Sequence, residues 1–223
     1  MTNKLLVIHP SFKYDTLQLT QPAIAALSQK YAAENIFVLH DDDNDDSWKE
    51  YLERSDITHH LYSQLGQVSD YNFLPGVLRN TEELSLAGHT ADACHHTAFE
   101  EVVGGYSSSH QHSLQVILPT YAISYPELDT GRSVYEKIKE LAEQPLIAEK
   151  MPTKLEPYHD YLVQRITPWE KASLIILFQY IKSCTRRTDL SVEITIDGRE
   201  VFRAIRPAAK MIELAIDTVL PLS

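Results

Sequence analysis

The sequence predicts an α/β protein with a mainly parallel, Rossmann-like sheet that is flanked by helices. Short apolar runs alternate along the chain with amphipathic stretches, which is the pattern of strand–helix–strand units. The apolar runs are continuous rather than alternating, as in strands that are buried on both faces of a sheet. Polar residues follow directly at the ends of several runs, where open α/β sheets place their ligands.

The first strand–helix–strand unit opens the chain. Residues 5–9 form an apolar run that predicts a strand, and residues 20–35 carry apolar positions three and four apart. This spacing predicts a helix, with Pro22 near its start. Residues 36–39 predict a second strand that ends at His40. The crossover between two parallel strands is expected to be right-handed.

An acidic run at residues 41–46 follows the second strand. Carboxylates this dense are able to bind a hard cation, but the run lacks the spacing of an EF-hand loop, and a solvated acidic loop is the alternative. His40 and Asp41 are the candidate metal ligands, for Zn²⁺ or a similar divalent ion. No other cofactor is indicated. Ser47 and Glu50 then form a capping box that opens a short helix.

Residues 55–81 carry weaker signals, with a short strand or loop at 59–62 and a turn at Pro75-Gly76. The next segment is more informative, because residues 84–87 predict a strand and Gly88 a turn. A helix follows, with Thr90 or Asp92 as its cap and an apolar stripe on one face. The members of the stripe are Ala91, Cys94, Ala98 and Val102.

Cys94 falls in the first turn of this helix, where the helix dipole is expected to lower the pKa of the thiol and favour the thiolate. Asp92 would oppose this if it lies close and is charged. The alternative interpretation is that Cys94 is a small apolar residue of the core.

The remaining elements complete the domain. The helix is expected to end near Gly104-Gly105, a polar loop with two histidines spans residues 107–113, and residues 114–118 predict a strand. A capping box at Ser133 and Glu136 opens a further helix. Residues 1–145 therefore form the predicted α/β domain, with the candidate site at the carboxyl ends of its strands.

Residues 146–223 are predicted to form a helix–hairpin–helix extension packed on that domain. Three prolines at 145–157 indicate a linker. Thr167 begins a long helix that runs to about residue 187, and Asp197-Gly198 is a strong hairpin signal. A last helix is predicted from Pro207, with one apolar face formed by Ala208, Met211, Ile212 and Ala215.

Charge and composition exclude several classes of protein. The 223 residues carry a net charge of −11, most of it in residues 1–145. Nucleic-acid binding is disfavoured because no basic footprint is present. Two cysteines do not indicate a disulfide framework, and no apolar run is long enough to span a membrane. We expect a cytoplasmic protein, or one that is exported without a cleaved signal peptide, and no membrane partner.

Several reactive side chains coincide with the predicted strand ends. His9, His40 and His89 each follow a strand, and Cys94 lies just beyond the third. Because the carboxyl ends of parallel strands share one edge of the sheet, these residues are expected to lie together. A cysteine with a neighbouring histidine acts as nucleophile and base. The histidines, with Asp41, are alternatively able to hold a metal ion.

Residues 84–98 resemble the nucleophile segment of the isochorismatase-like cysteine hydrolases, a superfamily that includes nicotinamidases. Its members show an apolar strand, a glycine, and a cysteine six residues later that opens a helix. Gly88 and Cys94 match this spacing, and residues 1–125 are compatible with the family. The resemblance implies hydrolysis of a small amide or related substrate through Cys94.

The chain departs from the family at two positions. The family places an aspartate base at the end of its first strand, where this chain has His9, and residues 55–81 contain no lysine to match the family's catalytic one. The predicted catalytic set is therefore Cys94 with His9 or His89 as base and Asp92 nearby, with backbone N–H groups around Ala93 and Cys94 for the oxyanion.

The alternative prediction is a relative without catalysis that acts as a protein-binding or assembly module. The partner is then another protein instead of a small-molecule substrate, and a homo-oligomer is open in both cases.

Overall fold

The computed structural model describes residues 2–15, 18–41, 46–62, 73–109, 113–125, 132–144, 167–184, 190–204 and 210–220. Eight strands are present in these ranges: β1 Thr2–Ile8, β2 Ile36–His40, β3 His59–Tyr62, β4 Thr81–Gly88, β5 Leu114–Pro119, β6 Leu190–Ile196, β7 Arg199–Ala204 and β8 Lys210–Asp217. Six α-helices accompany them: α1 Gln21–Ser28, α2 Trp48–Leu52, α3 Phe73–Leu78, α4 Cys94–Ser109, α5 Val134–Glu143 and α6 Pro168–Cys184.

The eight strands form one sheet in the order β3-β2-β1-β4-β5-β8-β6-β7. All neighbouring pairs are parallel except the β6–β7 hairpin. The predicted α/β class with a mainly parallel sheet is confirmed. The chain winds from β1 outward to β2 and β3, and then returns to place β4 on the other side of β1. This reversal is the point at which open α/β sheets form a ligand crevice.

Apolar side chains cover both faces of the sheet, as the continuous runs predicted. In β1, Leu6 and Ile8 belong to one buried cluster and Leu5 and Val7 to another on the opposite face. Side chains of α3, α4, α5 and α6 complete the first cluster, and side chains of α1 and α2 complete the second. The sheet edge that bears the strand ends is therefore held between two cores.

Two capping boxes form, one at the predicted pair Ser133 and Glu136 and the other at Thr167 and Glu170. The Ser133 hydroxyl accepts from the Glu136 N–H at 3.3 Å, and the Glu136 carboxylate accepts from the Ser133 N–H at 3.1 Å. Thr167 and Glu170 make the same reciprocal bonds at 3.2 and 2.5 Å. Ser47 lies at the predicted cap of α2 but makes no capping hydrogen bond from its side chain.

The predicted final helix is wrong, because residues 210–217 form strand β8. Its apolar residues also alternate with period two, and Ile212, Leu214 and Ile216 are buried. Pairing with β5 and β6 along both edges outweighs the helical spacing. The helix and the hairpin that precede it in the predicted extension are confirmed.

Three boundaries also differ from the predictions. The first helix ends at Ser28, with a short 3₁₀ turn at Ala33–Asn35. Pro75-Gly76 lies inside α3, where a proline in the first turn costs no hydrogen bond. The helix that begins at Cys94 runs through Gly104-Gly105 to Ser109.

The strands of the C-terminal part continue the same sheet, since β8 pairs with β5 over Leu114–Pro119. The division of the chain at residue 145 stays a prediction, and the linker at 146–158 lies outside the described residues. No helix within the described ranges is both long and apolar enough to cross a membrane.

Candidate active site

His9 follows β1 and lies at the centre of the sheet edge. Its backbone has φ +48°, and its N–H donates to the Leu39 carbonyl at 2.8 Å. The side chain is 2% exposed, and neither ring nitrogen has a hydrogen-bond partner among the described residues. The ring stacks on Tyr14, with centroids 5.5 Å apart. Burial lowers the pKa of His9, and the charge of Asp41 partly opposes this effect.

Asp41 follows β2 and acts on this edge through its charge. It accepts hydrogen bonds from the Tyr14 hydroxyl and, at 3.2 Å, from the Lys13 ammonium. Its charge raises the pKa of His9 and also raises the pKa of Cys94. Both effects are electrostatic, so the charge of Asp41 bears on the protonation of His9 and of Cys94 alike.

His89 follows β4, and its position beside His9 results from the register in which Ile8 lies opposite Gly88. Its side chain is 1% exposed. Nε2 lies 2.8 Å from the Tyr51 hydroxyl and Nδ1 lies 2.8 Å from the Ser124 hydroxyl. Burial lowers the pKa of His89 to about 4. A neutral imidazole has one donor and one acceptor, so both of its polar atoms are occupied.

The bonds of His89 continue to Asp15, a buried carboxylate that the sequence did not single out. Asp15 accepts from the Tyr51 hydroxyl at 3.1 Å and from the Thr20 hydroxyl at 3.0 Å. It also accepts three backbone N–H bonds at the start of α1, from Leu19, Thr20 and Gln21. The chain Asp15–Tyr51–His89–Ser124 therefore ties α1, α2 and the ends of β4 and β5 together.

Cys94 is the first residue of α4, as predicted, and it is half-buried against the larger core cluster. The predicted lowering of its pKa is wrong. Burial raises the pKa of the thiol, and the charges of Asp41 and Asp92 raise it further, while a bond to its own backbone N–H has the opposite effect. The resting side chain is a thiol, which needs a base before it attacks.

Asp92 lies in the turn between β4 and α4. It is exposed and accepts a hydrogen bond from the Thr90 hydroxyl at 3.3 Å. The N–H groups of Ala93 and His95 both donate to the Thr90 carbonyl at 3.1 Å. The Ala93 N–H therefore already has an acceptor within the turn, and Asp92 acts on Cys94 through its charge.

Tyr180 of α6 supports this turn from the C-terminal part of the chain. Its hydroxyl donates to the Ala91 carbonyl at 3.0 Å and lies 3.2 Å from His95 Nδ1. His95 is fully buried, its Nε2 lies 3.0 Å from the Leu86 carbonyl oxygen, and burial lowers its pKa to about 4. His96 also contacts the ring of Tyr180, with centroids 5.6 Å apart, and its Nε2 approaches a carboxylate oxygen of Glu100 at 3.9 Å. No local sequence pattern predicts these contacts.

The candidate metal ligands take other partners. His40 Nε2 lies 2.9 Å from His60 Nδ1, in a cluster with the rings of Trp48 and Tyr62. Asp41 bonds to Tyr14 and Lys13 instead of approaching His40. Across the described ranges, no three or more His, Cys, Asp or Glu side chains are grouped so as to hold a metal ion. Residues 42–45 of the acidic run and the histidines at 110 and 112 lie outside those ranges.

No protein-family model matches the sequence, and no curated protein is similar to it. Among solved structures, similar folds occur in the nicotinamidase PncA from Bacillus subtilis, the nicotinamidase SaPncA from Staphylococcus aureus and an isochorismatase-like hydrolase from Alkaliphilus metalliredigens. Their sequence identities to this chain are 15%, 14% and 9%, and their TM-scores are 0.39, 0.40 and 0.38. The matches cover 56%, 65% and 82% of this chain and 87%, 94% and 97% of the respective structures.

At these identities and TM-scores, nothing about the superfamily or the activity of this chain follows from the three structures.

Proposed function

We propose that this chain is a cysteine-dependent hydrolase of small amides or related substrates, with Cys94 as nucleophile and His9 as base. The observation that carries the proposal is the buried ring of His9, whose two nitrogens have no partner in the described part of the chain. A buried polar group without a partner costs free energy and calls for an explanation. A role in proton transfer supplies one.

The two candidate bases, His9 and His89, differ in the hydrogen bonds that their ring nitrogens make. Both nitrogens of His89 are engaged by Tyr51 and Ser124, so proton transfer through it would break a buried hydrogen bond. Within the described ranges, neither ring nitrogen of His9 has a hydrogen bond that proton transfer would break. His9 also follows β1, the strand at which the strand order reverses. Cys94 begins α4, the helix that follows the neighbouring strand β4. We therefore assign the base to His9.

The pKa shifts of Cys94 and His9 favour a resting state in which both side chains are uncharged. Burial raises the pKa of Cys94 and lowers the pKa of His9, so both residues rest without charge near neutral pH. The thiol proton then moves to His9 as the sulfur attacks the substrate carbonyl. Asp41 raises the pKa of His9 and thus stabilises the imidazolium that forms.

The remaining steps pass this proton to the leaving group and complete the hydrolysis. The tetrahedral intermediate collapses with cleavage of the C–N bond, and the imidazolium of His9 gives its proton to the departing amine. Water, with His9 again as base, hydrolyses the thioester to release the acid and restore the thiol. The Ala93 N–H is engaged by the Thr90 carbonyl and the Cys94 N–H by its own sulfur, so the Cys94 N–H becomes the donor to the oxyanion once the sulfur attacks the carbonyl and releases it.

The test measures ammonia release from a panel of small primary amides, including nicotinamide, in a Cys184→Ser background where Cys94 is the sole cysteine. We expect Cys94→Ala to abolish activity and His9→Asn to lower kcat by about 10²–10⁴-fold. Asparagine is chosen because it tolerates a positive φ. Activity should rise with pH through the pKa of His9, below its usual value near 6.5. Full activity in Cys94→Ala would overturn the proposal.

One observation favours a second candidate, a non-catalytic binding module. Cys94 packs against the larger core cluster, and its raised pKa disfavours the thiolate. Under this alternative, Cys94 reacts with iodoacetamide no faster than a small free thiol at any pH, and His9→Asn leaves that rate unchanged. A rate that falls in His9→Asn would support the hydrolase.

A further inference from the structure

A cavity lies at the carboxyl ends of β6 and β8, away from Cys94. It is bounded by the first turn of α6, the β6–β7 turn, the residues after β8 and one side chain of α5. Its volume is about 420 Å³, which is within the range of small-molecule sites. In the sheet, β5 and β8 lie between β4 and β6. The cavity is therefore not part of the candidate active site.

Ser173 of α6 lines this cavity, and its hydroxyl has no hydrogen-bond partner in the described part of the chain. Its side chain is fully buried, and its hydroxyl oxygen makes no hydrogen bond to any described residue. Buried hydroxyl groups are almost always paired with protein or ordered water. A ligand in the cavity would supply the missing bond once the side chains that cover the hydroxyl move aside.

Exposed apolar side chains gather at the same place. Trp169 is 37% exposed and Val219 is 62% exposed, and both line the cavity. Leu220, the next residue, is 50% exposed. The ring of Tyr135 stands 5.6 Å from that of Trp169 and extends the apolar wall. An apolar surface grouped around a cavity is typical of a ligand site.

The charged side chains that line the cavity indicate which kind of ligand it binds. Arg199 contacts the buried Glu170 carboxylate at 3.1 Å, so these two charges compensate each other. Asp197 is exposed, and its carboxylate accepts from the Thr218 N–H at 2.9 Å and from the Thr218 hydroxyl, which lies 2.6 Å from each carboxylate oxygen. Both are neutral donors. The charge of Asp197 therefore faces the cavity without compensation from these contacts.

We propose that this cavity binds a small organic cation, an ammonium or guanidinium group attached to an apolar body. The cation lies against Asp197, the apolar body lies on Trp169, and a polar atom of the ligand bonds to Ser173. Tryptophan adds attraction because its ring face favours cations. This inference is independent of the proposed hydrolase, since it uses none of the same residues.

The test uses benzylamine as the probe, which is an ammonium ion at neutral pH. The chain has two tryptophans, and Trp48→Phe leaves Trp169 as the fluorescent reporter. We expect saturable quenching, and at least about a five-fold higher Kd in Asp197→Asn. Asparagine suits this position because Asp197 has φ +50°. Calorimetric titration of the unmodified chain gives the same Kd without the Trp48 change.

Two matched ligands and one matched variant serve as controls. Benzyl alcohol keeps the ring without charge and should bind more weakly, whereas Asp56→Asn removes an exposed carboxylate outside the cavity and should leave the Kd for benzylamine unchanged. Tighter binding of benzoate than of benzylamine would assign the cavity to Arg199 and overturn the proposal. So would the absence of saturation below about 10 mM, or an unchanged Kd in Asp197→Asn.

Discussion

His9 and His89 occupy equivalent places at the ends of two adjacent strands, yet their surroundings differ completely. Ile8 lies opposite Gly88 in the sheet, so each histidine is the first residue after its strand. Both side chains are at least 98% buried. His89 has a partner for each nitrogen, whereas His9 has none within the described residues. Hydrogen-bond satisfaction, and not burial, separates a structural histidine from a candidate catalytic one.

The largest expected effect on stability comes from the matched pair His89→Asn and His9→Asn. Asparagine is too short to reach both Tyr51 and Ser124, so His89→Asn leaves at least one buried hydroxyl without its partner and should lower the free energy of unfolding by about 2–4 kcal/mol. His9→Asn breaks no described hydrogen bond of the ring and should change it by less than about 1 kcal/mol. Urea unfolding of both variants measures the difference.

Equal losses in the two variants would remove the distinction on which the assignment of the base rests. Tyr51→Phe is a useful companion, because it deletes the partner of His89 Nε2 and leaves the histidine in place. It should lower stability by about 1–3 kcal/mol, through the unsatisfied nitrogen and through the bond lost to Asp15.

The two histidines also show which features can be predicted from the sequence and which cannot. Their positions at strand ends can be predicted, but their hydrogen-bond partners cannot. The strands β1, β2, β4 and β5 were found from continuous apolar runs, and β8 was missed because its spacing also fits a helix. Register and strand order then bring His9 and His89 to one edge. The side chains that engage His89 and His95 come from 35, 38 and 85 residues away. No local pattern marks such partners, because only the assembled fold brings them together.

A second expected effect concerns pH. His89 and His95 have pKa values of about 4 in the folded chain and about 6.5 when unfolded. Between these values the unfolded chain binds more protons, so stability rises with pH. The stabilisation is complete above about pH 6.5 and is lost as the pH falls toward 4. Each histidine should contribute about 1–2 kcal/mol between pH 6.5 and 5.

Urea midpoints measured at intervals across that pH range test this expectation. His89→Asn should flatten the slope, since one of the two groups is removed. A stability that is flat or that increases on acidification would contradict the neutral, buried state of both histidines.

The smallest expected effect tests whether α6 holds the turn that carries Cys94. Tyr180→Phe keeps the ring contacts with His95 and Phe99 but deletes the hydroxyl that bonds to the Ala91 carbonyl. We expect a loss of about 1 kcal/mol in unfolding free energy. If the bond also fixes the turn, the pH profile of Cys94 alkylation by iodoacetamide should shift.

Tyr106→Phe makes the same chemical change at a buried tyrosine that lies in α4 itself. It should leave the pH profile of Cys94 alkylation unchanged. A profile that does not move in Tyr180→Phe, despite the lost stability, would limit Tyr180 to a packing role. The two outcomes differ because a lost hydrogen bond lowers stability wherever it lies. Only a bond that orients the first turn of α4 changes the surroundings of the Cys94 sulfur, and with them the pKa that the alkylation rate reports.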